Sequence, residues 1–141
     1  MTRFAYFLLY QDFGLLILRL SVGAPMIFHG FPKLFKNFFG TAAWFDSVGF
    51  RPGKFWVLVV GVVEFFGGIA LMLGFLVQPV AALVVIEMLV ILIRLKWGKV
   101  KLVDAEKIGW EYELLYLASA FVILTAGAGR YVLEYYIRLV G

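Results

Sequence analysis

Four apolar stretches set the limits on what this chain folds into, each near the length of a membrane span and each broken by only one or two charged or titratable side chains. They cover residues 13–31, 55–77, 79–95 and 112–128. The interruptions are Arg19 and His29 in the first, Glu64 in the second, Glu87 and Arg94 in the third, and Glu113 in the fourth. Crossing the hydrocarbon core takes about 20 mostly apolar residues, with a range of about 17–25. All four stretches fit, the third and fourth with help from their flanks. Composition agrees: of 141 residues, 64% are hydrophobic and 16% charged. Soluble domains run nearer about 45–50% apolar and about 25% charged, and a domain this small lacks the interior to hide such a surplus. The expected fold class is all-α: one integral membrane four-helix bundle over residues 1–141. The first stretch reads as a span and not a signal peptide. Arg19 breaks the apolar core that a signal peptide needs, and the pattern continues past Gly23 and Ala24.

The connections differ in kind. Leu76 to Pro79 leaves room only for an antiparallel hairpin, and Pro79 suits a helix's first turn, where its missing N–H costs nothing. Residues 96–109 form a polar, basic linker. In residues 32–54, Leu34, Phe35, Phe38, Phe39, Ala42 and Phe45 recur at helical spacing among Lys33, Lys36, Asn37 and Thr41. That pattern predicts an amphipathic interfacial helix between the first two spans, acting as a lid or anchor.

Lysine and arginine predict the orientation. Arg3, Arg130 and Arg138 fall on one side; Lys33, Lys36, Arg51, Lys54, Arg94, Lys96, Lys99, Lys101 and Lys107 fall on the other. The imbalance places the first and third loops in the cytoplasm and both termini outside. The net charge of +4 has this ordinary membrane explanation, and no nucleic-acid motif accompanies it. Trp44, Trp56, Trp97 and Trp110 lie near span ends, as an interfacial aromatic belt requires.

The chain has no cysteine and one histidine. Disulfides, iron–sulfur ligation, thiol redox chemistry and bis-histidine haem are excluded within one chain. No metal site is expected, and any redox cofactor must be borrowed or diffusible; a quinone is the candidate.

Charges inside spans are costly, at about 2.5–3.5 kcal/mol each on insertion scales, and face the protein interior for that reason. Arg19, Gly23, Met26, Gly30 and Lys33 share one helical face. On the second stretch, Gly61, Glu64 and Gly68 share another, with Gly67 beside it. The glycines are candidates for close helix packing. Two roles are compatible: Arg19 and Glu64 neutralise each other as a structural pair, or they line a ligand site. Pro25 is expected to free the Ser21 carbonyl and kink the helix. Glu87 and Arg94 each need a partner on another helix, or Arg94 snorkels. Glu111 and Glu113 open the fourth helix, where carboxylates favour the positive end of the dipole. His29 lies near the membrane surface, where a hydrogen-bonded structural role is the ordinary one.

These residues also carry a resemblance. Arg19-Leu20-Ser21-Val22-Gly23 with His29-Gly30-Phe31-Pro32-Lys33-Leu34 resembles the first-helix pattern of the DoxX family. Glu64-Phe65-Phe66-Gly67-Gly68 and Gly74 resemble its second-helix segment. Gly109-Trp110-Glu111-Tyr112 and Gly127-Ala128-Gly129-Arg130-Tyr131 resemble the entry and exit of its fourth helix. Three positions depart from the pattern: Lys96 stands where a histidine is common, and Ala128 and Glu113 stand where prolines are. The resemblance implies a four-helix membrane protein tied to redox or sulfur metabolism, since some relatives form part of a thiosulfate:quinone oxidoreductase and others join oxidative-stress complexes. Carried over by position, Arg19, His29, Lys33, Glu64, Glu111 and Arg130 are the candidate ligand-binding residues. Arg19, Lys33 and Arg130 have the chemistry to hold an anion such as thiosulfate by charge-assisted hydrogen bonds.

Two functions compete. One is a redox-linked subunit that binds quinone or a small sulfur species within the bundle. The other is a non-catalytic scaffold or accessory subunit that works beside a redox protein partner or as a homo-oligomer. A transporter is disfavoured, because no inverted repeat is evident.

Overall fold

The computed structural model describes residues 3–103 and 109–133, with side chains from residue 10 onward. Lys107 and Arg138 lie outside the described residues, as does the Arg3 side chain. The chain forms α1 (Arg3–Phe31), α2 (Phe38–Ser47), α3 (Gly53–Leu73), α4 (Val77–Val90) and α5 (Glu111–Ala126). A π-helical turn, Pro32–Lys36, follows α1, and a second, Ile91–Lys96, follows α4. No strand occurs among the described residues.

Three continuous helical stretches are long and apolar enough to cross a membrane: Tyr10–Lys36, Gly53–Leu73 and Val77–Lys96. Only 33%, 33% and 28% of their most apolar windows are buried within the chain. The remainder presents Phe13, Ile17, Phe28, Phe66, Ile86 and Ile93 outward. A water-soluble monomer does not carry an apolar surface of that extent, so lipid covers it. α5 has 16 residues, which at about 1.5 Å per residue is about 24 Å.

The chain packs as a sequence of antiparallel neighbours. α1 lies along α3, α4 lies along α5, and α3 and α4 form a hairpin. The interior is built from Val22 and Met26 of α1, Leu71 of α3, Val84 of α4, and Ala120 and Ile123 of α5. Pro25 lies inside α1, which runs on unbroken to Phe31.

Glycine sets how closely α1 approaches α3. A Cβ on Gly23 would stand 2.6 Å from the Gly68 carbonyl oxygen, and one on Gly68 would stand 2.6 Å from the Gly23 carbonyl oxygen. The helices cross backbone to backbone at this pair, as small residues permit in membranes. Gly30 meets the backbone at Phe65, Gly61 lies under the Leu34 side chain, and Gly67 faces Val80 of α4. Gly68→Leu should therefore force α1 off α3 and cost about 1–3 kcal/mol, the usual range for overpacking. The apparent melting temperature in mild detergent reads this. An unchanged value would mean that the crossing is looser than the structure shows.

The π turns have local causes. Pro32 has no N–H to donate back into α1, and the Asn37 N–H bonds the Pro32 carbonyl at 2.8 Å, a five-residue step. After α4, the Trp97 N–H bonds the Leu92 carbonyl at 2.7 Å, again a five-residue step. Such turns widen a helix and recur at functional sites.

Between α1 and α3, a helix forms where the amphipathic pattern lies, but it begins only at Phe38. The preceding residues 32–36 extend α1 instead. α2 packs Ala42 and Phe45 against Val57, with Phe50 and Trp56 alongside. Asp46 accepts a 2.8 Å hydrogen bond from the Gly53 N–H, which meets one of the orphan donors at the start of α3.

Candidate functional site

The polar interior lies toward one end, where the C-terminal ends of α1 and α4 meet the middle of α3 and the start of α5. The two π turns supply its two ammonium groups. Lys33, on the first, bonds both carboxylate oxygens of Glu64 in α3. Lys96, on the second, pairs with Glu113 of α5 at 2.8 Å and donates to the Gly109 carbonyl at 2.7 Å. Glu87 of α4 faces the Glu64 carboxyl and also feels Lys33. Five elements, the two π turns with α3, α4 and α5, thus bring three carboxyls and two ammonium groups together.

Two cavities meet at this cluster. The smaller, about 240 Å³, is lined by Met26, His29, Lys33, Glu64, Glu87 and Tyr116 among others. The larger, about 570 Å³, is walled by Trp44, Phe45, Phe50 and Trp56 on one side and by Leu83 and Ile86 on the other. Lys33, Glu87, Ile91 and Glu113 line both. An apolar, aromatic chamber therefore opens onto a charged one. Binding sites commonly combine mostly apolar walls with a few convergent polar groups, in volumes of about 300–1,000 Å³.

The six candidate binding residues fall in different places. Lys33 and Glu64 form the central ion pair, and His29 lines the smaller cavity while staying exposed. Glu111 lines neither cavity. Its backbone N–H bonds the Leu102 carbonyl at 3.2 Å. Arg130 lies toward the other end, where its Nε meets Asp12 at 3.2 Å with 73% of its side chain exposed. Arg19 is fully buried and donates from Nη2 to the Tyr131 carbonyl.

The expected pairing of Arg19 with Glu64 does not form. α1 and α3 run antiparallel with Gly23 opposite Gly68, which sets Gly30 beside Glu64 and Arg19 beside Gly74. Ten residues of α3 separate those levels, about 15 Å at about 1.5 Å per residue. Lys33 takes the place expected for Arg19. The same register puts Arg19 and Lys33 too far apart to grip one small anion.

Glu87, Glu113, Lys96 and Tyr116 belong to the cluster as well. Glu87 carried a usable signal, an isolated carboxylate within an apolar run. Glu113 had an adequate local explanation as a helix-start carboxylate. Nothing in the local sequence links Lys96 to it.

Long apolar helices with most of their surface turned outward, closed around buried ion pairs, define a helical membrane protein with a polar interior site. A family comparison makes that more specific. The model of the DoxX family matches residues 14–97, well over half the chain. The chain belongs to the DoxX family. No curated protein and no solved structure matches it.

Proposed function

We propose that this protein is a redox-associated membrane subunit, related to thiosulfate:quinone oxidoreductase, that binds a quinone in the joined cavities. One observation carries the reading. The aromatic chamber between Trp44, Phe50 and Trp56 ends at a cluster of carboxyl, ammonium and phenol groups. A quinone ring needs flat apolar walls, and its oxygens need groups that exchange hydrogen bonds and protons. The chain has no cysteine and one histidine, so electrons reach the site from a redox partner or a diffusible donor.

The architecture goes with this reading. α5 completes a four-helix bundle as the fourth span. α2 lies at the membrane surface as the lid of the larger chamber, with Phe39 exposed on it and Trp44 half-exposed at the chamber wall. Lys33, Lys36, Arg51, Lys54, Arg94, Lys96, Lys99 and Lys101 collect at the α2 end, and this excess of positive charge supports a cytoplasmic α2 end with both termini outside.

Extraction of the protein purified in mild detergent should yield quinone. A short-chain benzoquinone added to the stripped protein should raise its melting temperature, and Trp56→Ala should reduce that rise. Protein that carries no quinone, and whose stability no quinone alters, would overturn the reading. A stable haem- or flavin-containing partner recovered with such protein would favour the accessory-subunit alternative.

A further inference from the structure

The atoms left without partners around the smaller cavity narrow the ligand further. Among its lining residues, Glu87 Oε1, Glu113 Oε2 and the Tyr116 hydroxyl are buried and find no hydrogen-bond partner among the described residues. The two ammonium groups are already engaged, Lys33 by Glu64 and Lys96 by Glu113 and the Gly109 carbonyl. A carboxylate oxygen only accepts hydrogen bonds, and an ammonium only donates. What the ionised site has left over is therefore two carboxylate acceptors against one hydroxyl, that of Tyr116, which can also donate.

The charge balance agrees. Among the described residues of the cluster, Glu64, Glu87 and Glu113 stand against Lys33 and Lys96. With every group ionised the cluster is negative; with one proton on a carboxyl it is neutral. Neither state attracts an anion. An oxidised quinone presents only carbonyl acceptors, which the Tyr116 hydroxyl can meet but the two carboxylate oxygens cannot. A quinol presents two O–H donors and no charge, and its ring suits the aromatic chamber next door.

Resting on the quinone-class reading above, we infer that the cavity takes the reduced form, a lipid-soluble quinol, in preference to the quinone, and that it does not hold thiosulfate or another small oxyanion. Glu113 Oε2 or Glu87 Oε1, both buried and unbonded among the described residues, accepts a quinol hydroxyl. Binding is all these groups decide; electron transfer needs a redox centre on another molecule. The preference also shifts the bound couple. A tenfold tighter hold on the reduced form of a two-electron couple raises its midpoint by about 30 mV.

The test is an anaerobic calorimetric titration of the full chain, stripped of native quinone and held in lipid nanodiscs. The probes are one short-chain benzoquinol, the matching benzoquinone, and sodium thiosulfate. The quinol should bind at least about tenfold more tightly than the quinone, in keeping with one charge-assisted hydrogen bond to a buried acceptor. Thiosulfate should not displace it. Glu113→Gln or Glu87→Gln replaces an acceptor with an amide that also donates, and should shrink the gap to less than about threefold. Quinone binding as tight as quinol binding, or displacement of quinol by thiosulfate, overturns the inference while the quinone-class reading stands. If neither redox form binds, both fall. Should a variant fail to show a normal melting transition, the wild-type comparison decides alone.

Discussion

Lys33→Met destabilises the protein by about 3 kcal/mol, near the lower end of the usual cost of stripping one partner from a buried ion pair. Glu64 is then left buried at 7% exposure, with the Glu87 carboxyl still facing it. Lys33 had offset both acids from its π turn. The side chain of Lys33 is 24% exposed against 10% for Glu64, so water relieves a little of the loss, which sets the figure at the lower end. The double variant Lys33→Met with Glu64→Met removes the orphaned charge and should regain most of that stability, because well-packed apolar pairs often match buried ion pairs. Denaturation in mild detergent of the wild type, both singles and the double gives the coupling energy directly. A coupling below about 0.5 kcal/mol would mean that the pair contributes nothing specific and that Glu64 finds another partner.

The charge inside each apolar run was visible in the sequence, and so was the face it occupies. Steps of three and four placed Arg19, Gly23, Met26, Gly30 and Lys33 on one side of α1, and all but Lys33 are buried, with Lys33 partly so. What periodicity cannot give is the level at which one helix meets the next. That register comes from the Gly23–Gly68 crossing, and it exchanged Arg19 for Lys33 as the partner of Glu64. The π turns were hidden for a related reason. Pro32 reads locally as the end of a helix and the start of a loop, whereas packing of Leu34 over Gly61 keeps the chain wound through Lys36. Lys96 and Glu113 lie on opposite sides of a polar linker, and each has an adequate local explanation, so only the tertiary fold shows them as a pair. The family match ends at residue 97, and Glu113 and Tyr116, which complete the site, lie beyond it.

Gly74→Ala has the second large effect, and it tests what Arg19 is for. Gly74 closes α3 in the left-handed region, at φ 74°, with the Phe75 N–H returning to the Ala70 carbonyl at 2.9 Å. An L-residue there costs about 1–2 kcal/mol before any contact is counted. The added Cβ would also strike Arg19 Nη1 and come 2.7 Å from the Val132 Cα, and crowding of that kind adds about 1–3 kcal/mol. Arg19 thus runs beneath the hairpin and holds the chain after α5 through the Tyr131 carbonyl. Its Nε and Nη1 find no hydrogen-bond partner among the described residues. The nearby end of α3 supplies the negative pole of a helix dipole, which favours a cation there. If the guanidinium is the main obstacle, Arg19→Met should relieve part of the Gly74→Ala penalty, and the two substitutions will not add. If the left-handed backbone alone is at fault, they will add within about 0.5 kcal/mol. Proteolysis after residue 127 gives a second readout: loss of the Arg19 tether should expose that segment in the Arg19→Met single variant even where global stability is kept. A protease-resistant segment in that variant would show that Arg19 does not hold it.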